Sequence, residues 1–453
     1  MKILLTQPSF NEGANRFPSR PPLGLAYLAG SVQKAGHECQ ILDEQLGENL
    51  FNRIESFKPD VVGFSVTTWT VSLVLEKVAY IKANFSNIFC IAGGPHPTAS
   101  PSSMLKGGID VVVHGYGEKI LIEILSALKN GESFSNIGGI SFIHNGKMIT
   151  NPKVDDVDLN TLPKPAFNLL DLKNYQWCSV SSSRGCPIGC SFCSDTFLFG
   201  KKMHFRSPDN FVDELEALSS DFGIKKFYFI DEQFTFNEKR TIEICNQIIK
   251  RKLKIDWIVN SRVDRVTQEM LSLMKKSGCI SVAYGIESGS EQILKNVHKE
   301  ISIPKIEKTV ALTKNAGIRV KTSWIVGLPG DFSEQLKSVD LMEKIQPNHI
   351  DVYWLTIYPG TPFWYDPTRY GIHIDTNNIP LTANEKLMSK TYFYDYLSKE
   401  EVIKVAEIMT ARMMDIGYKI AGIEENNYDV ASKMIATYLR YLNLNIFSHE
   451  LSK

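Results

Sequence analysis

The first part of the chain alternates short apolar runs with amphipathic stretches. The apolar runs have the length of buried strands and are Lys2 to Thr6, Glu38 to Leu42, Asp60 to Val66, Ile88 to Ala92 and Asp110 to Val113. Between them, apolar side chains recur at helical spacing in Pro22 to Ala35, Glu48 to Phe57, Val71 to Asn84 and Glu118 to Lys129. Strands separated by such helices form parallel sheets covered on both faces. The pattern predicts a doubly wound, Rossmann- or flavodoxin-like α/β domain over residues 1–135, with its ligand site outside the carboxyl ends of the strands.

The pattern changes after residue 135. The runs Ile140 to Ile143 and Lys147 to Thr150 flank Asn145-Gly146, a strong hairpin signal. The residues that follow have the composition of a linker, so we expect a hairpin and linker over 136–175.

A second alternation begins near Trp177. Its candidate strands are Cys178 to Ser182, Lys226 to Ile230, Ile255 to Asn260, Ile280 to Gly285, Arg319 to Val326 and Ile350 to Ile357. Its candidate helices are Pro208 to Ser220, Glu238 to Lys252, Gln268 to Ser277, Pro304 to Ala316 and Glu334 to Ile345. A closed barrel needs eight strand–helix units. The sequence therefore predicts a partial (βα)6 barrel over 176–365 and a small, mostly helical region over 366–453, including Lys399 to Ile416 and Tyr428 to Leu442.

Composition and charge narrow the possible partners. Hydrophobic residues make up 43% of the chain and charged residues 22%, the balance of a packed protein. Fifty basic residues offset fifty acidic ones, so no overall field attracts nucleic acid. No apolar run approaches the ~20 residues of a membrane span, and Met1 to Leu5 lacks the layout of a signal peptide. We expect a cytoplasmic protein without a membrane span or a nucleic-acid partner.

The eight cysteines are unevenly distributed. Five stand alone in apolar segments, where a buried thiol packs as a small hydrophobic group. The other three lie in Cys186-Pro187-Ile188-Gly189-Cys190-Ser191-Phe192-Cys193, directly after the first strand of the predicted barrel, where active sites lie. Three thiolates around one centre are one fewer than zinc or a fully ligated cubane requires, which leaves a position open. A structural zinc site completed by His204, or three unconnected thiols, are the alternatives.

The cysteine spacing, with Phe192 before the third cysteine, resembles the signature of the radical S-adenosylmethionine superfamily. The resemblance covers about residues 175–365. It implies a [4Fe–4S] cluster on Cys186, Cys190 and Cys193, whose open iron chelates S-adenosylmethionine. One-electron cleavage then releases a 5′-deoxyadenosyl radical that abstracts hydrogen from a small-molecule substrate. An electron donor such as flavodoxin or ferredoxin is also implied.

The same resemblance implies a set of S-adenosylmethionine contacts at the ends of the barrel strands. The set consists of the loop aromatic and the polar or glycine residues that end successive strands, namely Phe192, Asp231, Glu232, Gln233, Arg262, Glu287, Ser288 and Gly327. Arg262 would pair with the methionine carboxylate in a bidentate manner, and Glu287 would hold ribose hydroxyls. Gly327 would let the backbone approach the adenine. Each also has a structural alternative, since glycines commonly turn the chain and Arg262 or Glu287 can form solvated ion pairs.

The N-terminal domain resembles that of the cobalamin-binding subclass of this superfamily. The matching residues follow the third, fourth and fifth strands and are Ser65, Thr67, Gly93, Gly94, Gly115 and Glu118. The small residues among them would let a corrin and its nucleotide tail approach the backbone. Gln45 stands where classical cobalamin domains place a ligand histidine, and an amide is a poor cobalt ligand. We expect cobalamin without a protein histidine ligand, or a domain that no longer binds it, with His96 and His114 as further loop candidates.

The leading functional hypothesis is methylation of an unactivated carbon of a small molecule or natural product by a cobalamin-dependent radical enzyme. A second hypothesis is radical cyclisation, rearrangement or deoxygenation without methyl transfer. A third is a non-enzymatic corrinoid- or zinc-binding module. A nicotinamide-binding domain is excluded because Gln7-Pro8-Ser9, and no Gly-x-Gly-x-x-Gly, follows the first strand.

Overall fold

The N-terminal alternation forms the predicted parallel sheet. The structure is a computed structural model that describes residues 1–9, 20–154, 157–374, 392–419 and 447–448. Its first elements are β1 (Lys2–Gln7), α1 (Leu23–Lys34), β2 (Glu38–Asp43), α2 (Leu50–Phe57), β3 (Val61–Ser65), α3 (Val71–Asn84), β4 (Phe89–Gly93), α4 (Pro95–Ala99), α5 (Pro101–Lys106), β5 (Val111–Val113) and α6 (Glu118–Asn130). The parallel strands run in the order β2-β1-β3-β4-β5. This is the flavodoxin-like order, whose switch point lies between β1 and β3.

The predicted hairpin joins this sheet instead of standing apart from it. Its strands are β6 (Ile140–His144) and β7 (Lys147–Thr150), and β6 pairs antiparallel with β5, with Val111 opposite Phe142. The sheet therefore has seven strands, and β7 lies at its edge.

Alternation along β1 shows why both faces of this sheet are covered. Ile3 and Leu5 belong to one buried cluster, whereas Leu4 belongs to another. Successive side chains of a strand point to opposite faces. A strand with apolar side chains on both faces therefore has to be covered by helices on both sides.

The second alternation forms the predicted open barrel. Its elements are β8 (Cys178–Val180), β9 (Ser183–Arg184), α7 (Asp195–Phe199), β10 (His204–Phe205), α8 (Pro208–Asp221), β11 (Lys226–Phe229), α9 (Glu238–Lys250), β12 (Asp256–Ser261), α10 (Gln268–Lys276), β13 (Cys279–Glu287), α11 (Glu291–Asn296), α12 (Ile303–Asn315), β14 (Arg319–Val326), α13 (Phe332–Ile345) and β15 (His349–Trp354). Six parallel strands run in the order β15-β14-β13-β12-β11-β8. This arrangement confirms the predicted fold class.

The C-terminal region adds short elements around the barrel. They are α14 (Pro362–Tyr365), β16 (Ile372–Ile374), β17 (Tyr392–Tyr394), α15 (Lys399–Asp415) and β18 (Phe447–Ser448), which pairs antiparallel with β15. Helix α15 matches the predicted helix from Lys399, and the one predicted from Tyr428 to Leu442 lies outside the described residues. No helix of the described part is long and apolar enough to span a bilayer.

The two sheets are packed together through shared apolar residues. One buried cluster includes Ile3 and Val111 of the first sheet together with Val180 and Val259 of the barrel. A polar contact also crosses the interface. The Tyr175 hydroxyl donates to Asp43 Oδ2 at 2.9 Å.

Candidate active site

A cavity lies at the carboxyl ends of the first sheet, close to its switch point. Its empty space is about 1130 Å³, including the part open to solvent. The ends of β1, β3, β4 and β5 line it, as does α1. The turns after β4 and β5 and the start of α6 also line it, and the barrel contributes Ser181, Arg184, Phe199, Ile230 and Glu232. The cavity therefore lies between the two sheets, at the place where this topology binds ligands.

Most residues predicted to contact cobalamin line this cavity, namely Ser65, Gly93, Gly94, Gly115 and Glu118. Gly94 has φ +107°, and a Cβ there would meet the Val66 carbonyl oxygen at 2.8 Å, so the chain needs glycine at this turn. Thr67 is not among the lining residues. It caps a 3₁₀ turn, and its N–H donates to Thr70 Oγ1 at 3.1 Å.

The histidine candidates of this domain make contacts inside the fold. His96 Nδ1 lies 3.3 Å from Thr68 Oγ1 and its Nε2 lies 3.1 Å from Ser103 Oγ, while burial lowers the pKa of His96 to about 4. Burial also lowers the pKa of His114, whose Nε2 lies 2.9 Å from Ser141 Oγ. Both rings therefore brace loops. Cobalamin bound without a histidine ligand stays a prediction.

The three clustered cysteines lie on the loop between β9 and α7, at the mouth of the barrel. All are free thiols, and Cys186 and Cys190 are buried. The N–H of Cys193 donates to the carbonyl oxygen of Cys190 at 3.0 Å, which turns the loop back on itself. The loop is therefore compact and brings the three residues to one side of the barrel mouth.

Glycine shapes the start of this loop. Gly185 has φ +98°, and a Cβ on it would collide with the carbonyl oxygen of Lys202. Gly189 has φ +77°, but a Cβ there would meet nothing within 4 Å. Gly185 is therefore required for both conformation and space, and Gly189 for conformation alone.

The electrostatics around the thiols differ from one to the next. Burial raises the pKa of all three. For Cys190, Lys299 and Arg262 oppose this rise, and for Cys186 the Gln233 amide does, since its Nε2 donates to Cys186 Sγ at 3.6 Å. Cations and donors of this kind favour the thiolate, which is the form that binds metal.

The zinc alternative has no preformed ligand set. The described residues contain no group of three or more His, Cys, Asp or Glu side chains gathered around one ion position. Zinc–sulfur bonds of about 2.3 Å require such close gathering, whereas a cubane takes its thiolates at separate iron corners. His204 instead pairs with Arg184 across the β9–β10 ribbon and meets Tyr116 edge-on at 5.7 Å.

A buried polar cluster adjoins the cysteine loop and contains three of the predicted S-adenosylmethionine contacts. Lys299 Nζ lies 3.0 Å from Glu287 Oε1 and 5.9 Å from the centre of the Phe192 ring. Arg262 donates to Asp264 Oδ1 at 2.9 Å and to the carbonyl oxygen of Lys299 at 2.8 Å. The structure therefore brings Phe192, Arg262 and Glu287 together around Lys299.

Backbone strain aims Glu287 into this cluster. The pairing of β13 with β14 shifts register between Gly285 and Glu287, and Glu287 has φ +70°. Positive φ in a residue other than glycine costs energy and is concentrated at functional sites. The bulge turns the side chain towards Lys299 at the end of the strand.

The three polar residues after β11 differ in their surroundings. Asp231 is fully buried, and its carboxylate accepts from Ser182 N at 3.1 Å and from Ser183 Oγ at 2.5 Å, so it braces the chain before the cysteine loop. Glu232 lines the cavity, and Glu232 Oε2 and Gln233 Oε1 are buried without a hydrogen-bond partner among the described residues. Two buried acceptors thus remain available to a ligand.

Ser288 is held within its own turn, whereas Gly327 is held by a residue that follows β17. The Ser288 hydroxyl accepts from Ser290 N at 3.1 Å. Gly327 has φ +91°, and its carbonyl accepts from the Tyr396 hydroxyl at 3.1 Å. Their roles in binding S-adenosylmethionine stay predictions.

Comparisons with known proteins agree with this geometry. Residues 14–125 match the family described as B12 binding domain, and residues 180–342 match the Radical SAM superfamily. A Pyrococcus horikoshii protein named uncharacterized methyltransferase PH0819 is 33% identical over 443 residues, covering 89% of this chain and 94% of the relative. The chain belongs to the cobalamin-binding radical S-adenosylmethionine enzymes. This confirms the predicted family.

Two further comparisons extend the picture of this enzyme. The anaerobic magnesium-protoporphyrin IX monomethyl ester cyclase of Rubrivivax gelatinosus is 28% identical over 368 residues, covering 76% of the chain and 66% of the cyclase. The solved structure of TsrM, a radical S-adenosylmethionine methyltransferase from Kitasatospora setae with cobalamin and a [4Fe–4S] cluster bound, superposes with a TM-score of 0.75. It covers 97% of this chain and 99% of that chain at 18% identity, a likeness of fold alone.

Three residues around the site are not recognisable as site residues from a sequence motif. Lys299 follows the short helix α11, and Tyr27 lies inside α1, while Arg184 directly precedes the glycine before the first cysteine. Arg184 had an indirect signal, because it stands at a strand end directly beside the three-cysteine motif. Lys299 and Tyr27 had none, since only the tertiary fold brings them to the site.

Proposed function

We propose that this enzyme methylates an unactivated carbon of a small molecule, using S-adenosylmethionine, a [4Fe–4S] cluster and cobalamin. The observation that carries the proposal is the composition of the cavity wall. Arg184 and Glu232 of the barrel line the same cavity as Ser65 and Gly93 of the first sheet, and Arg184 stands two residues before Cys186. Adjacent sites for a corrin and a cluster suit a reaction that uses both.

The residues present fit the groups that the family uses. Cys186, Cys190 and Cys193 would hold the cluster, and the cavity would take the corrin against Gly93 and Gly94. When bound, the cluster supplies the electron that cleaves S-adenosylmethionine, and cobalamin supplies the methyl group.

The chain's own side chains would orient these reactants. The buried Arg262 and Lys299 place positive charge where the methionine carboxylate would lie, and Glu287 offers an acceptor to ribose hydroxyls. Glu232 Oε2 and Gln233 Oε1 are buried acceptors suited to the methionine ammonium group. We further propose a reducing cytoplasm as the setting, since all eight cysteines are free thiols, and a small electron-transfer protein as the donor.

The test is an anaerobic incubation of reconstituted, hydroxocobalamin-loaded enzyme with dithionite and S-adenosylmethionine labelled in its methyl group. We expect 5′-deoxyadenosine to form and the label to move to the bound cobalamin. The Cys186→Ala variant is the control and should give no 5′-deoxyadenosine. Absence of both products from the loaded enzyme would overturn the proposal.

Cyclisation without methyl transfer is the second candidate, because one relative is named a cyclase. The same incubation separates the two. Formation of 5′-deoxyadenosine while all label stays on methionine would favour the cyclase chemistry.

A further inference from the structure

A partly buried ion pair joins the wall of the cavity to the cysteine loop. Arg184 Nη1 donates to Glu118 Oε1 at 2.6 Å. The Arg184 side chain is 16% exposed and the Glu118 side chain 7%. Arg184 belongs to the barrel, whereas Glu118 begins α6 in the first domain. The pair is therefore a short, charge-assisted link across the interface that is largely shielded from solvent.

Aromatic rings hold the guanidinium group in this place. The guanidinium of Arg184 lies 4.7 Å from the centre of the Tyr27 ring and 5.7 Å from that of Tyr116. The Tyr27 hydroxyl in turn accepts from Arg206 Nη1 at 3.2 Å. Both rings belong to the first domain and both line the cavity, so Arg184 is enclosed by cavity-lining residues.

On its other side, the same arginine is joined rigidly to the cysteine loop. Its backbone pairs with His204 in the β9–β10 ribbon, which closes the loop that carries the three cysteines. The preceding Ser182 and Ser183 are held by the Asp231 carboxylate. At the next residue, Gly185, the backbone passes so close to Lys202 that a Cβ would collide with the Lys202 carbonyl oxygen. A shift of the loop would therefore move Arg184 and disturb its pairing with Glu118.

Glu118, the other member of the pair, is connected to the cavity wall. Glu118 follows Gly115, Tyr116 and Gly117, all of which line the cavity. A corrin lying against this turn would fix the start of α6, and with it the Glu118 carboxylate. Moving one member of the pair away would leave the charge of the other without a partner. The pair therefore favours the arrangement in which the cysteine loop and the start of α6 are both in place.

We propose that the Arg184–Glu118 ion pair couples cobalamin binding in the cavity to cluster binding on the cysteine loop. The inference rests on the proposed function. Arg184 is a positioning residue here, because it acts through Glu118 and through the loop. Thermodynamic linkage requires reciprocity, so the cluster strengthens cobalamin binding by the same factor by which cobalamin strengthens cluster binding.

The experiment measures the dissociation constant of hydroxocobalamin for the full chain, anaerobically, with and without the reconstituted cluster. We expect binding to the cluster-loaded protein to be about fivefold tighter or more. In Glu118→Gln and Arg184→Lys the ratio of the two constants should fall towards one. A direct contact between Glu118 and cobalamin would weaken binding in both states and leave the ratio unchanged.

Trp69→Phe is the matched control. It removes another contact across the interface, the 3.1 Å hydrogen bond from Trp69 Nε1 to the Tyr358 hydroxyl, and it leaves the ion pair intact. This variant should keep the full ratio. Thermal unfolding of each variant checks that it is folded, and if one ion-pair variant is not, the ratio measured for the other tests the inference.

Equal constants in wild-type protein with and without cluster would overturn the inference, as would an undiminished ratio in both ion-pair variants. Either result would leave the proposed function standing, since both groups would still bind. Failure of the protein to bind cobalamin or iron at all would instead count against the proposed function itself.

Discussion

Single residues at this site divide into those that face a ligand and those that hold others in place. Asp231 looks equivalent to Glu232 in the sequence, yet its carboxylate is saturated by Ser182 and Ser183, whereas Glu232 lines the cavity. Lys299 shows the converse, because it lies in the centre of the buried cluster without any motif around it. Residue type and position at a strand end therefore do not by themselves define a contact.

The cysteines give the sharpest prediction at this scale. Replacing Cys186, Cys190 or Cys193 by Ala should reduce bound iron from the roughly four atoms of a cubane to under half of that, because two thiolates do not hold the cluster. Iron and sulfide analysis after anaerobic reconstitution measures this. Cys178→Ala, in buried strand β8, is the control: it should cost at most a few kcal/mol of stability and keep its iron. Equal iron in all four variants would refute the assignment.

Loss of the buried Lys299–Glu287 ion pair should have a large effect on stability. Lys299→Met leaves the buried Glu287 carboxylate without its partner, so we expect a loss of about 3–5 kcal/mol of unfolding free energy. Urea denaturation of the cofactor-free protein measures it, and adding Glu287→Gln should restore part of the loss. Lys337→Met, which breaks the exposed pair with Glu334, should cost under about 1 kcal/mol. Similar losses in both lysine variants would contradict the expectation.

The raised pKa of Glu232 predicts that the free energy of unfolding depends on pH. Burial, aided by Asp195, raises the pKa of its carboxyl to about 8. The folded protein keeps a proton that the unfolded chain releases near pH 4.3, so stability falls as the pH rises from about 4.5 to 8. Glu232→Gln should remove this part of the slope in unfolding free energies measured without cofactors between pH 5 and 9. Parallel profiles for the two proteins would show that Glu232 titrates normally.

At the scale of elements, strand ends and the turns after them build the site. The ends of β1, β3, β4 and β5 form one side of the cavity, and the loop after β9 carries the cysteines. The two-stranded ribbon of β9 and β10 closes that loop. Its strands have two residues each, which is too short for a periodic pattern in the sequence.

The glycines of the cysteine loop test its geometry as an element. Gly185→Ala adds a clash with the Lys202 carbonyl to an unfavourable backbone angle, whereas Gly189→Ala adds only the angle, at about 1–2 kcal/mol. We expect Gly185→Ala to lose more than half of its iron and Gly189→Ala to keep most of it. Iron content and the absorption of the reconstituted cluster measure the difference, and the reverse order would show that the loop is built differently.

At the scale of the whole molecule, the two α/β units share a core. Side chains of β1 and β5 belong to the same buried cluster as side chains of β8 and β12. The Arg184–Glu118 ion pair and several hydrogen bonds cross the same interface. The cavity exists only because both units line it, so neither unit alone has the complete site.

The shared core predicts cooperative unfolding. Exposing one sheet would also expose apolar surface of the other, so the described units should unfold together. Scanning calorimetry of the cofactor-free protein should show one transition. Two resolved transitions would mean that the interface contributes little to stability.

Much of the fold and part of the site follow from the sequence alone. The alternation of apolar runs and amphipathic stretches determined both α/β units, because strand and helix periodicity are local properties. The three-cysteine spacing determined the cluster loop for the same reason, since its residues are close along the chain. Glycines after successive strands indicated the cavity, because parallel strands all end at one edge.

Only the tertiary structure decided which of these residues meet. Arg184 and Glu118 lie 66 positions apart, and Trp69 and Tyr358 lie 289 apart. Such contacts depend on how the two sheets pack, which no local pattern encodes. Packing also decided that Asp231 turns inward, that Lys299 reaches Glu287, and that Arg184 and Glu232 face the cavity between the two domains. Local spacing specified the chemical groups, and long-range packing specified their partners.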